Sequence, residues 1–193
     1  LEFPLFQATA AIIAKTGLVE NVAFASRLTA LLYFYLSVLF LYLVCKEIFS
    51  DKQINFAVTT IYLCLPYNIY YSLEPLIDYL ALALALAYLY FILLWLKSGS
   101  SIQNTMFATI FGILSVLVKP TTTPIVVIPI IAFVLKDIIS VYKHSFTQPL
   151  DFQFMVNKIL ERRGYWLSLG LMAVIPLLTG YFWTRYSDHI KGS

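Results

Sequence analysis

The chain has 193 residues, of which 61% are hydrophobic, 17% aromatic and 12% charged, and its mean hydropathy is +0.83. A water-soluble domain carries about 25% charged residues, so this composition excludes an ordinary soluble fold and makes lipid the main solvent. The net charge of +3 is dispersed along the chain and offers no basic face, which excludes nucleic acid as a partner.

Taken in order, the pattern is that of an all-α, polytopic integral membrane protein. Residues 1–20 open with Glu2-Phe3-Pro4-Leu5-Phe6-Gln7 and break at Lys15-Thr16-Gly17. The apolar part is too short to cross a hydrocarbon core, which needs about 20 helical residues. It reads as a juxtamembrane helix lying at the interface, with Pro4 tolerated in its first turn. Spans are expected at 28–45, 53–73, 79–96, 98–118, 120–142 and 164–184. The second is broken near its end by Pro66, and Tyr67, Tyr70 and Tyr71 place that end at the headgroups. The third has an alternating Ala-Leu core that favours helix and close packing. Between the fifth and sixth, residues 143–163 read as an amphipathic surface helix carrying Phe152, Phe154, Met155, Ile159 and Leu160. Cys45 and Cys64 lie in apolar runs without metal spacing and read as small buried hydrophobes. The chain starts at Leu1 without a signal-peptide pattern and ends soon after an apolar run. It is therefore read as a fragment of a larger membrane protein.

Alternating the sides puts residues 46–52, 97–101 and 136–163 together, with eight of the thirteen Lys and Arg. The positive-inside rule makes that side cytoplasmic. Glu2, Glu74, Asp78 and Lys119 then share the outer face, each at the end of an apolar run.

Glu74 and Asp78 are the charges between Gln53 and Leu96, and a carboxylate at a span end must face water, a partner or a ligand. With Pro75 at a first helical position and Glu74 as its cap, the two acids lie four apart on similar helical faces. The helix dipole alone accounts for acids at that end. Asp78, a turn inside this expected helix and less well solvated, is the stronger functional candidate; Glu74 is secondary. Lys119 follows an uncharged run and precedes a proline, and is either an interfacial anchor or a phosphate ligand. No Gly-rich phosphate loop, His cluster or Ser/His/Asp arrangement occurs.

The ordered series Glu-Phe-Pro-Leu-Phe-Gln, Arg27-Leu28 opening a span, Tyr-Ser-x-x-x-x-x-Asp (residues 71–78) opening another, and Leu117-Val118-Lys119-Pro120-Thr121 resembles the bacterial GT-C glycosyltransferases. The group it is most similar to is the protein-mannosyltransferase-like family that includes the aminoarabinose transferases. The resemblance implies a partial GT-C transmembrane bundle and a polyprenyl-phosphate-linked sugar donor. It also implies a lipid, glycan or protein acceptor and a site on the outer, periplasmic face of a bacterial inner membrane. It matches Glu2 to the acid of a Glu-x-Pro-Leu motif beside the donor phosphate, Asp78 to a span-opening aspartate, and Lys119 to the lysine of a Leu-x-Lys-Pro motif. Glu2 and Asp78 would be supporting acids, with a divalent metal compatible with them, and Lys119 would meet the donor phosphate. The chain departs from the pattern at Phe3, where the aminoarabinose group has lysine, at Leu73 for arginine, and at Ile77 for proline. The family's catalytic base lies in a first outer loop that precedes the Glu-x-Pro-Leu motif, so the fragment alone is expected to be inactive. The alternatives are a multi-span transporter or lipid flippase, with the acids as an ion path, and a non-catalytic membrane assembly subunit.

Overall fold

A computed structural model of the chain describes residues 3–16, 21–98, 101–122, 124–125, 127–132, 135–136 and 163–192. The described residues are helical, with no strand among them. Helix α1 spans Leu5–Lys15, α2 Val22–Ile48, α3 Lys52–Cys64, α4 Pro66–Tyr71, α5 Asp78–Lys97 and α6 Ile102–Val118. A 3-10 turn follows at Pro120–Thr122, and the last helix, α7, spans Arg163–Gly192. Three of them, α2, α5 and residues 164–190 of α7, are long and apolar enough to cross a membrane.

Local chemistry sets the starts and stops. Asn21 caps α2 by accepting from the Ala23 N–H (2.9 Å), and Asp51 caps α3 by accepting from the Gln53 N–H (2.8 Å). Lysines stand in the last turns of α1, α2 and α5, where a cation complements the exposed carbonyls. Pro66 divides the 53–73 stretch into α3 and α4. A proline has no N–H for the carbonyl four residues back, here that of Tyr62, and the Asn68 side-chain amide donates to that carbonyl instead (2.6 Å). Asn68 is buried, so the break is internally satisfied rather than left open.

Helix α5 is the centre of the bundle, packed against α2 on one side and α6 on the other. Ala81, Ala83, Ala85 and Ala87 are buried and leave room for the neighbouring backbones. Helix α7 lies on α6 and runs parallel to it: a Cβ at Gly112 would press on Pro176 and Tyr88, and one at Gly180 would overlap Val116. Trp95 near the end of α5 stacks on Tyr165 near the start of α7 (4.8 Å), which fixes those two as antiparallel. Helix α1 docks on α2 through the Thr9 and Tyr33 hydroxyls (2.7 Å) and through Phe6, which packs in one cluster with Ala30, Leu80, Ala81, Leu84 and Val118.

The bundle therefore has two ends. One gathers α1, the start of α5 and the end of α6; Phe3 against Trp183 (5.5 Å) brings the C-terminal half of α7 to it. The other gathers the end of α2, the end of α5 and the start of α7. Three expectations need correction. The last span, expected to end at residue 184, continues as α7 through Arg185, Asp188 and Lys191 to Gly192. Cys64 is exposed whereas Cys45 is buried; Cys64 ends α3, whose main packing among the described residues is on α2 and α4. Pro75 does not open a helix, as described below. The expected surface helix at 143–163 and most of the 120–142 stretch lie outside the described residues.

Candidate functional site

Asp78 is the first residue of α5, and its N-cap position, Ile77, makes no side-chain cap bond. The free amides of that turn favour a carboxylate. Residues 72–77 are not helical. The Leu76 N–H donates to the Glu74 carbonyl (2.7 Å) and the Glu74 N–H to the Tyr71 carbonyl (3.1 Å), so Pro75 sits at the middle of a tight three-residue turn. Glu74 is consequently not the cap of α5, and it does not share a helical face with Asp78. Nor is Asp78 a poorly solvated residue one turn inside a helix: its side chain is 47% exposed. The expectation that burial marks Asp78 is overturned; what marks it is its partner.

That partner is Lys119, the C-cap of α6, in an extended conformation. Its position suits a cation, beside the last carbonyls of a helix. Since α5 and α6 are antiparallel, the opening residue of one and the closing residue of the other come together. The Lys119 Nζ donates to Asp78 Oδ1 in an ion pair across 41 residues of sequence.

The turn that carries Lys119 is held from below. The Thr122 hydroxyl is shared between the carbonyls of Lys119 (2.8 Å) and Ser115 (3.0 Å), and it accepts from the Ser115 hydroxyl (2.9 Å). Both residues are buried, so these bonds form where water does not compete. On the opposite side Tyr79 donates to Asn68 Oδ1 (3.2 Å), tying α4 to the first turn of α5.

Between these two supports lies a cavity of about 320 Å³ lined by Asp78, Lys119, Thr121 and Thr122, by Tyr67, Asn68, Tyr71 and Tyr79, and by apolar side chains. Of the four candidates from the sequence, the structure brings Asp78 and Lys119 together. Glu74 is exposed, does not line the cavity, and has no ion-pair partner among the described residues. Glu2 lies outside the described residues; the next residue, Phe3, packs at the same end of the bundle. From the sequence Tyr67 and Tyr71 read only as interfacial tyrosines, and Asn68, Tyr79 and Thr122 carry no site role there; all five line the cavity. One signal existed: an asparagine two residues after a proline, inside an apolar run.

A divalent cation does not fit the cavity as described. Asp78 is the one carboxylate among its described lining residues, and it is already neutralised by an ammonium. No group of three His, Cys, Asp or Glu is disposed for a metal among the described residues. The arrangement is instead suited to an anion of modest size that can compete with Asp78 for Lys119, with aromatic and hydroxyl groups beside it. Among known proteins, no family model, no curated protein and no solved structure matches the chain.

Proposed function

We propose that this chain is part of a polytopic membrane glycosyltransferase of GT-C type. In this reading it moves a sugar from a polyprenyl-phosphate donor to an acceptor hydroxyl at the outer face of a bacterial inner membrane. One observation carries the reading: Lys119 and Asp78, far apart in sequence, meet at the mouth of a cavity at one end of an apolar helix bundle. A lipid-linked substrate presents its phosphate at that depth, where the hydrocarbon ends, and its sugar beyond it. Exposed Tyr67 and Tyr70 on α4 mark the same level, as aromatic belts do.

The chemistry follows from the groups present. Lys119 turns from Asp78 to the donor phosphate, and the bond between the anomeric carbon and the phosphate oxygen breaks with its electron pair going to the phosphate. The ammonium stabilises the charge that develops there. The acceptor oxygen forms the new bond to the anomeric carbon, and its proton passes to a carboxylate. Asp78, freed when Lys119 turns, is the carboxylate among the described lining residues; it accepts that proton and passes it to the loop base that the resemblance implies. A carrier would set its polar groups near the bilayer midplane, whereas the two ion pairs of the described residues sit at the two ends of the bundle.

The test is release of prenyl phosphate from synthetic farnesyl-phosphate sugars by the full-length enzyme of which this chain is read as a part, in proteoliposomes containing bacterial envelope lipids as acceptors. The expected result is release that falls at least about 100-fold in Lys119→Gln, the loss typical of removing one group that stabilises a developing oxyanion. Release unaffected by that substitution, or no release from any sugar tried, overturns the reading.

A further inference from the structure

Resting on the transferase reading, we propose that Tyr67 and Tyr71 form the platform on which the donor's sugar ring lies, and so decide which sugar is accepted. They are one helical turn apart on α4, their rings 4.5 Å apart and tilted by 42°, and both line the cavity that holds Lys119. Tyr70 supplies an internal contrast. It is on the same short helix and is also exposed, and its ring meets Tyr71 edge-on (5.0 Å, 82°), but it does not line the cavity.

Three physical points assign the ring to this pair. First, the negative face of an aromatic ring attracts the positively polarised C–H groups of a saturated ring, and a pyranose or furanose offers such a face on one side. Second, the cavity, at about 320 Å³, lies at the small end of the roughly 300–1,000 Å³ spanned by ligand pockets, so one ring and its phosphate fill it. Third, the platform is braced. Asn68 lies between the two tyrosines in sequence; its amide donates to the Tyr62 carbonyl, and its carbonyl oxygen accepts from Tyr79. The helix that carries both rings is therefore tied to α5 before any ligand arrives, which lowers the ordering cost of binding. The phosphate is held by Lys119 and the sugar by α4, on two separate elements. The two parts of the donor are then recognised by groups that can be altered independently.

The experiment measures dissociation constants of the full chain, reconstituted in lipid nanodiscs, for farnesyl phosphate and for farnesyl phosphates carrying mannose, glucose, galactose or arabinose. Wild type should bind at least one glycosylated probe about tenfold more tightly than farnesyl phosphate, the scale expected of two ring contacts. In Tyr67→Ala/Tyr71→Ala that preference should vanish while farnesyl phosphate itself binds within about twofold of wild type. Tyr67→Phe/Tyr71→Phe should keep the preference, because the rings remain, and Tyr70→Ala should keep it too. The inference is overturned if the double alanine variant retains the preference, if it weakens farnesyl phosphate equally, or if Tyr70→Ala loses as much. It is also overturned, alone, if wild type binds farnesyl phosphate in a Lys119-dependent way but prefers no glycosylated probe. If farnesyl phosphate does not bind, or binds equally to Lys119→Gln, the transferase reading falls and takes the inference with it.

Discussion

Among the described residues each end of the bundle carries one lysine–carboxylate pair, and the two pairs are built on similar logic with different results. At one end Lys97, in the last turn of α5, donates to the Glu47 carboxylate (2.7 Å) and also to the Glu47 carbonyl (3.0 Å) in the last turn of α2. At the other, Lys119 at the end of α6 meets Asp78 at the start of α5. Helix dipoles explain a lysine in both places, so charge at a helix end is no sign of function by itself. The surroundings differ. Lys97 is 59% exposed, and its carboxylate partner is the less exposed of the two, at 16%. Lys119 is 33% exposed, its carboxylate is the more open partner, and the pair faces a cavity with hydroxyl and aromatic walls. The Glu47 pair has its acid committed to closing two helix ends. The Asp78 pair has an acid that can be given up and a cation that can be taken by something else.

The sharpest way to break this comparison is to ask whether the two ends face different compartments, as the proposed topology requires. With Cys45 and Cys64 replaced by serine, Glu74→Cys should react with a membrane-impermeant maleimide added to spheroplasts. Ser98→Cys should react only after permeabilisation. Both positions lie beside the helix ends and are exposed, so the outcome is all or none. Labelling of both from one side would place the two pairs in the same compartment and end the comparison.

Activity should separate the pairs next. Lys119→Gln should cost sugar transfer about 100-fold or more, whereas Lys97→Gln at equal expression should change it less than about twofold. Asp78→Asn should be nearly as damaging as Lys119→Gln, since the neutral amide neither holds the ammonium nor accepts a proton. A wild-type rate in Asp78→Asn would remove the carboxylate from the mechanism.

How much of this could be read beforehand divides along physical lines. The helical, apolar character follows from composition alone, and so does the packing role of the alanines in α5. Asp78 and Lys119 could be placed at helix ends, because each lies where a long uncharged run stops. Their contact could not, since it depends on how α5 and α6 rotate and slide against each other. The error at Glu74-Pro75 is instructive. Local preference allows proline at a first helical position, but the chain must first travel from the end of α4 to the start of α5. Pro75 is used at the middle of a turn in that connection. The aromatic wall was hidden for a related reason. Tyrosines at an apolar run's end read equally well as an interfacial belt, and only the break at Pro66, bridged by Asn68, directs two of them into a cavity.

The supports under the two pairs give smaller effects. Thr122→Val removes the hydroxyl that ties the Lys119 turn to Ser115, leaving the Ser115 and Lys119 carbonyls with their backbone donors alone. It should lower transfer by about tenfold, consistent with a bond worth about 1 kcal/mol, and Thr122→Ser should restore it. Asn68→Leu exposes the defect that Pro66 creates by taking from the Tyr62 carbonyl the buried amide that serves it, a loss of about 1–3 kcal/mol. Thermal unfolding in detergent should fall accordingly, with the sugar preference of the cavity falling along with it.

The smallest effect belongs to the Lys97–Glu47 pair, and it is the control on which the comparison rests. Glu47→Gln keeps the shape of the side chain and an oxygen that can still accept from Lys97. It removes only the charge from a pair whose lysine is mostly in solvent. Such pairs contribute about 0–1 kcal/mol, and the dipole contribution of Lys97 at the end of α5 survives the substitution. Thermal stability should therefore shift by no more than a degree or two, and sugar transfer should not change. Were Glu47→Gln to abolish transfer while leaving the fold intact, the two ends would be coupled through α5. The Asp78 cavity could then no longer be treated as a self-contained site.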